Sequence, residues 1–232
     1  MYVAKQHSMS EDAALDLART IGVGQLITSG EDGLNATFVP FNVVRREDCV
    51  VLQTHLNRVN TQWKDAGEAM FIVQGPSAHI SGTDFPAEEE GQKLPTVPTL
   101  NYVTVHLRGT LTAHDDDAWK RSHLTALVDQ FEGEWRVGTH SSYELVNAAF
   151  VALVGVELEV TEIVGKAKLG QNMSPADIQH TAQHLRERDP SGSSVAELME
   201  EIAIPWSQAR EERVTNAKHG RGSLPFSGGL AQ

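Results

Sequence analysis

The first regular pattern in the chain is a set of four small or aliphatic residues that can share one helix face: Ala14, Leu15, Leu17 and Ala18. This spacing predicts an amphipathic helix over 11–20. Short apolar stretches separated by turn residues then predict strands over 24–29, 36–44, 49–54, 69–74, 78–81 and 101–112. A proline cannot donate to a strand ladder, so we expect Gly75 and Pro76 to separate the strands over 69–74 and 78–81.

Turn and loop residues divide these strands. Asp32 and Gly33 favour a hairpin between the first two strands, and 62–66 can form one or two helical turns. The segment 82–98 collects Gly, Pro and the acidic run 88–90, which is typical of a long loop.

The following segment alternates helix and strand signals. Three successive aspartates, Asp115 to Asp117, predict the start of a helix that runs to about Gln130, and a short helix is predicted over 142–149. Within 150–164, apolar residues at 156, 158 and 160 alternate with polar residues at 157, 159 and 161, which predicts a strand with one buried and one solvated face.

The pattern changes after about Ser174. Ser174 and Pro175 start a predicted helix that ends near Asp189, a second helix is predicted over 195–204, and the end of the chain is rich in glycine. We therefore expect a domain over 1–173 and a helical C-terminal extension over 174–232.

Charge and composition narrow the function classes. The 232 residues carry 31 acidic and 19 basic side chains, a formal charge of −12. Because non-specific nucleic-acid affinity comes mainly from Lys and Arg meeting phosphates, direct DNA binding is doubtful. The sequence shows no apolar run typical of a signal peptide or membrane span, so we expect a cytoplasmic protein without a membrane partner.

Covalent and metal chemistry receive little support from the sequence. The single cysteine, Cys49, cannot form an internal disulfide and is read as a strand or turn residue. His180 and His184 lie four apart on a predicted helix and can share a metal, although a solvated helix face is the simpler interpretation. No metal site and no catalytic residue is predicted.

A polar turn follows the predicted strand over 49–54. Thr54, His55, Arg58 and Asn60 gather there with free main-chain amides, and Arg58 can contact a phosphate through two parallel hydrogen bonds. Thr54, His55 and Asn60 would add directional hydrogen bonds. The segment is thus either a phosphate site or an ordinary polar loop.

Two further groups of residues have the character of binding surfaces. Gln74 precedes the Gly-Pro pair, and the prolines at 95 and 98 stiffen the chain where Thr99, Asn101 and Tyr102 are presented. Lys166 and Lys168 follow the last predicted strand and, on the pattern alone, are solvated surface lysines.

The order of these motifs resembles the PaiB-type, FMN-binding negative transcriptional regulator family over about 1–173. The resemblance is carried by short pieces in one order: Met1-Tyr2-Val3, Gly33-Leu34, Pro40-Phe41, His55-Leu56 with Arg58, Asn60 and Gln62-Trp63, Gln74-Gly75-Pro76, Ile80-Ser81, Val97-Pro98-Thr99 with Asn101-Tyr102, Val105-His106 with Gly109, Trp135-Arg136-Val137, Val154-Gly155-Val156-Glu157, Gly165-Lys166 with Lys168-Leu169, and Gln171-Asn172.

The resemblance implies a mainly β fold with peripheral helices, a six-stranded antiparallel Greek-key split barrel that dimerises and binds FMN between subunits. It places Arg58 and Asn60 at the phosphate, and Lys166 or Lys168 at the phosphate or the N1 and O2 edge of the flavin. Thr99, Asn101 and Tyr102 would lie near the ring, and Thr54, His55 and Gln74 complete the predicted cofactor-binding set.

Two alternative functions stay open at this point. A flavin-dependent oxidoreductase, similar to flavin reductases, would use the same cofactor without needing a catalytic side chain. A haem-handling split barrel would need an iron ligand, for which His79 or His106 is a candidate. The repressor role itself follows only from the family resemblance.

Overall fold

A computed structural model describes residues 1–31, 33–87 and 97–221 of the chain, with the backbone alone for 218–221. The predicted turn residue Asp32, the acidic run 88–90, Pro95 and the glycine-rich end at 222–232 lie outside the described residues. Within them, the secondary structure agrees with most of the sequence pattern and departs from it at three informative places.

The strands are β1 Val23–Gly30, β2 Gly33–Pro40, β3 Asn42–Arg45, β4 Val50–Asn57, β5 Gly67–Ile80, β6 Thr99–His114 and β7 Leu153–Lys168. The α-helices are α1 Glu11–Ile21, α2 Asp117–Phe131, α3 Tyr143–Val151, α4 Pro175–Arg188, α5 Ser193–Leu198 and α6 Ile204–Arg221. Short 3-10 turns occupy Lys5–His7, Thr61–Lys64, Gly82–Asp84 and Pro190–Gly192.

The helix starts follow the predicted capping chemistry. Asp116, the N-cap of α2, accepts a hydrogen bond from the main-chain N–H of Trp119, and the hydroxyl groups of Ser142 and Ser174 cap α3 and α4 in the same way. The aspartate triplet therefore starts a helix, as predicted.

In the described residues the strands form one mainly antiparallel sheet in the order β2-β1-β5-β6-β7-β4-β3. The mainly β, antiparallel character is as expected, but the expected six strands are wrong, because the sheet has seven and ends in β2 and β3 without closing into a barrel. One strand of the seven arises at Phe41, which splits the predicted strand over 36–44 into β2 and β3. Its ring is fully buried against Phe71, and its N–H bonds to the carbonyl of Gly22 and not to a ladder partner.

The expected break at Gly75 and Pro76 is also wrong, because β5 runs through both residues. Strand β1 pairs with β5 only at residues 69–72 of β5. Pro76 lies beyond that pairing, so the N–H that proline lacks is not required on the β1 side of the strand.

A third difference concerns the outer face of β7, which was expected to be solvated. The side chain of Glu157 is buried there, with two hydrogen bonds from Arg46 at 2.9 and 2.7 Å and one from Gln53 at 2.9 Å. Helix α2 covers this face, because the ring of Trp119 lies directly over Gly155, two residues along the same strand. A neighbouring helix therefore overrides the alternating pattern.

The described chain divides into two compact units. Unit 1 consists of Met1–Val3, Ser8–Gly75 and Val103–Lys166, and unit 2 of Ala4–His7, Pro76–Tyr102 and Ala167–Gln232. The core of unit 1 packs α1 against the sheet, and its fully buried residues include Ala14, Leu26, Phe41, Phe71, Val105, Leu107, Val156 and Leu158. The division of the chain at residue 173 stays a prediction.

Unit 2 contains the C-terminal helices. Its buried residues include Ile178, Ala182, Leu185, Val195, Ala196 and Met199. The predicted second helix is longer than expected, because α5 continues through a π-helical turn at Met199–Ala203 into α6. No helix in the described part of the chain combines the length and the apolar character that crossing a bilayer requires.

Candidate functional site

Arg58 lies in the turn that follows β4, where the sequence predicts a phosphate ligand. Its guanidinium donates to both carboxylate oxygens of Asp115, at 2.9 and 2.5 Å. Two further hydrogen bonds reach the carbonyl oxygens of Val151 at 3.0 Å and Leu153 at 3.2 Å. The hydrogen bonds from Arg58, and then that from Lys120, hold the pKa of Asp115 at about 2. An anionic group of this chain thus occupies the fork of Arg58.

The other polar residues of the turn stabilise its backbone. Asn60 caps the following 3-10 turn by accepting from the N–H of Gln62 at 3.1 Å, and its amide donates to the hydroxyl of Thr37 at 3.0 Å. Thr54 is fully buried and donates to the carbonyl of Pro40 at 2.6 Å. Thr54 and Asn60 therefore support the conformation of the turn, and their predicted cofactor contacts stay predictions.

His55 faces α2 and belongs to a layer of stacked rings. Its Nδ1 lies 3.1 Å from Nε2 of His123. The ring of Trp119 stacks between those of His123 and His114, at centroid distances of 5.3 and 4.6 Å. Burial, and then the charge of His55, lowers the pKa of His123 to about 3, and burial lowers the pKa of His55 as well. Both imidazoles are therefore neutral near pH 7.

Neither this layer of rings nor the contact of Asp115 with Arg58 was predicted from the sequence. One local signal was available, because Trp119 and His123 are four residues apart and share a face of α2. Nothing local indicates that this face meets His55, which is 68 positions from His123 in the sequence.

In unit 2 the structure brings two predicted residues together. The ammonium group of Lys168 donates to the hydroxyl of Thr99 at 2.6 Å and to the carbonyl oxygen of Leu100 at 2.8 Å. Asn101 is buried, and its amide lies 3.3 Å from the sulfur of Met199. Tyr102 is half-buried. Thr99 and Lys168 form a polar, partly accessible pair, whereas Asn101 points into the packing of the C-terminal helices.

The remaining candidates lie apart along the strands. Gln74 is exposed and donates to the carbonyl of Val103 at 3.1 Å, and Lys166 forms a β-bridge with Ser8. His79 is exposed. His106 is half-buried, with a buried Nδ1 that has no hydrogen-bond partner among the described residues, and burial lowers its pKa.

The described residues contain no group of three or more His, Cys, Asp or Glu side chains arranged to hold a metal ion. The rings of His180 and His184 stack on α4 with centroids 4.2 Å apart.

Comparison with known families decides the class of the protein. The model of a family described as "Putative FMN-binding domain" matches residues 1–162. The chain belongs to this FMN-binding family. Its flavin cofactor is accordingly FMN. None of the curated proteins compared with the chain matches its sequence.

Solved structures agree with the family at the level of the fold. A conserved hypothetical protein from Mycobacterium tuberculosis has 13% identity and a TM-score of 0.51, with 75% of this chain and 94% of that chain covered. An FAD and heme binding protein from Mycobacterium smegmatis has 19% identity and a TM-score of 0.52, with 72% and 75% covered. These likenesses support a split-barrel-like arrangement of an antiparallel sheet with helices.

The donor groups present are suited to FMN. The cofactor offers a phosphate and a ring edge, at N1 and O2, that becomes anionic on reduction. Arg58 has the planar fork that binds phosphate oxygens in pairs, and it already holds a carboxylate in that geometry. Lys168 and Thr99 supply a cation beside a hydroxyl group. Each set by itself therefore has donor chemistry suited to one part of an anionic flavin nucleotide.

Proposed function

We propose that this chain is an FMN-binding regulator of the PaiB type that acts as a homodimer. The observation that carries the flavin contact is the pair formed by Lys168 and Thr99, a half-buried cation hydrogen-bonded to a hydroxyl in an otherwise acidic protein. The order of motifs shared with PaiB-type regulators supports the regulatory role.

The residues of the chain bind and orient the cofactor, which supplies electron-transfer chemistry when bound. Lys168 stabilises negative charge at the N1 and O2 edge and thereby favours the reduced flavin. Arg58 contacts the phosphate of an FMN whose ring edge meets Lys168 of the other protomer, because within one protomer Arg58 bonds to Leu153 at the start of β7 and Lys168 ends that 16-residue strand. Thr54 and Asn60 hold the turn that presents Arg58, through their bonds to Pro40 and Gln62.

An exposed apolar face of the sheet supports the homodimer. In the register of unit 1, Phe38 and Ile72 lie opposite Gln25, and Ala36 and Met70 lie opposite Ile27, so these side chains share one face. Leu34 extends that row on β2, and the exposed fractions of Leu34 and Phe38 are 81% and 63%. A contiguous apolar surface of this kind is typical of a protein–protein interface.

A regulatory role does not require the chain to bind DNA directly. The formal charge of −12 disfavours binding to the phosphate backbone of DNA, so regulation would proceed through a partner protein or through flavin chemistry that alters a small-molecule signal. A mobility-shift titration at about 50 mM salt should show no complex below micromolar protein. Nanomolar, salt-sensitive binding would instead establish a direct repressor.

The FMN contact is tested with Lys168→Gln against Lys5→Gln, which neutralises an exposed lysine of the same unit. Loss of a charge-assisted hydrogen bond should weaken FMN binding by about 1.5 to 3 kcal/mol for Lys168→Gln, with no change for Lys5→Gln. The reduction potential of the bound flavin should also fall in the Lys168 variant. If the two variants had the same FMN affinity and the same flavin reduction potential, Lys168 would not be part of the FMN site.

The visible spectrum of the purified protein separates the alternatives. A flavin spectrum without NAD(P)H oxidation supports the regulator, whereas steady NAD(P)H turnover supports a flavin-dependent oxidoreductase. A haem spectrum would point to the haem-handling alternative and to the histidine candidates His79 and His106.

A further inference from the structure

The guanidinium group of Arg58 is held in place by hydrogen bonds that do not involve Asp115. Its Nε and one Nη donate to the carbonyl oxygens of Val151 and Leu153, at the junction of α3 and β7. These main-chain bonds fix the plane of the guanidinium. The fork would therefore keep its direction if the Asp115 carboxylate moved away.

A second cation points to the same position. Oδ1 of Asp115 accepts from Nη2 of Arg58 and also from Nζ of Lys120, at 3.3 Å. Lys120 is only 4% exposed, and its ammonium also contacts Asp117 at 3.2 Å and the carbonyl of Phe150 at 3.4 Å. Two cations from different elements thus converge on one carboxylate oxygen, which is the arrangement of an anion-binding site.

We propose that Arg58 and Lys120 form a binding site for a phosphate monoester and that Asp115 is its internal, competing occupant. The inference rests on the proposed function, because the phosphate monoester it assigns is the phosphate of FMN. It adds Lys120 as a phosphate-binding residue and Asp115 as the residue that sets the affinity.

The exchange is feasible because the ion pair between Arg58 and the competing carboxylate is open to water. The side chains of Arg58 and Asp115 are 39% and 58% exposed, and ion pairs with this exposure contribute little to stability. Asp115 also precedes the N-cap of α2, so its side chain can turn to solvent without disturbing the helix. Lys120 then retains its contacts with Asp117 and Phe150.

A phosphate gains more from this site than a carboxylate does. It carries up to two negative charges and offers three acceptor oxygens, so it can bond to Arg58 and Lys120 together. Asp117 lowers the net positive charge near Lys120, which limits this gain.

The experiment is an FMN and riboflavin titration of Asp115→Asn, with Asp129→Asn as the control that removes one exposed negative charge from α2. Because Asp115→Asn removes the exposed carboxylate that competes with FMN for Arg58, FMN binding should tighten by about two- to fivefold. Riboflavin affinity and the control variant should show no change. In an Arg58→Gln background, the effect of Asp115→Asn should disappear.

Two outcomes separate this inference from the proposed function. If FMN binds the wild type and Asp115→Asn equally, the competition by Asp115 is refuted while FMN binding stands. If FMN fails to bind every variant, inorganic phosphate, titrated by ³¹P NMR, still tests the site. Tighter phosphate binding to Asp115→Asn than to the wild type would then support an anion site for free phosphate, and equal affinity would overturn it.

Discussion

Gly155 allows the ring of Trp119 to lie against β7. A Cβ added at Gly155 would lie 2.1 Å from Cζ3 and 2.5 Å from Cε3 of that ring, far inside van der Waals contact. Gly155→Ala should therefore displace Trp119 and lower the free energy of unfolding by about 1 to 3 kcal/mol, measured by urea denaturation. Gly133→Ala, where a Cβ meets no atom within 4 Å, is the control and should be nearly neutral.

The pair formed by His55 on β4 and His123 on α2 predicts a loss of stability in mild acid. Burial lowers the pKa of His123 to about 3, whereas an unfolded histidine has a pKa of about 6.5. As pH falls below about 6.5, the unfolded state binds a proton that the folded state does not, so the free energy of unfolding decreases until about pH 3.

The measurement is urea denaturation between pH 7 and pH 5, above the range in which most carboxylates titrate. His123→Phe should flatten the pH dependence in this window, and His140→Gln, at an exposed histidine, should leave it unchanged. An equally steep dependence in His123→Phe would show that other groups cause the acid sensitivity.

At the scale of elements, the end of α4 is bound to the 3-10 turn after β5. Arg188 donates to both oxygens of Asp84 at 2.8 Å and to the carbonyl of His79 at 2.7 Å. Burial alone would raise the pKa of Asp84, but the hydrogen bonds from Arg188 and the N–H of Ser81 lower it overall. The carboxylate is therefore charged although it is only 1% exposed.

Arg188→Gln should lower the free energy of unfolding by about 3 kcal/mol, because it leaves a buried carboxylate without its cation. Arg186→Gln breaks the more exposed pair with Glu200 and should lose about 1 kcal/mol or less. Circular dichroism during thermal unfolding measures both. Equal losses would mean that the burial of Asp84 does not matter.

At the scale of the whole molecule, the apolar row on β2 predicts the oligomeric state. Light scattering at micromolar concentration should give the mass of a dimer for the wild type, with an interface of about 2,000 Å². Replacing Leu34 and Phe38 together by Ser should shift the mass toward that of a monomer. Leu145→Ser, at an equally exposed apolar position on α3, should leave the dimer intact, and a monomeric wild type would contradict the proposal.

The family and most of the elements were accessible from the sequence, because both depend on short segments. The face formed by Ala14, Leu15, Leu17 and Ala18 predicted α1, and the aspartates at 115–117 predicted the start of α2. The ordered motifs indicated an FMN-binding domain without reference to any tertiary contact, and the family match over 1–162 confirms it. Local spacing was sufficient in each case, since helix faces and caps involve residues within one or two turns.

The tertiary structure decided everything that depends on partners distant in the sequence. Phe41 does not take part in strand pairing, because its ring packs in the core beside Phe71. Glu157 is buried because α2 covers that face of β7. Arg58 meets Asp115 across 57 positions and Lys168 meets Thr99 across 69. The sequence determined which side chains carry charge, whereas folding determined which opposite charge each one faces, because electrostatic contacts depend on distance in space and not along the chain.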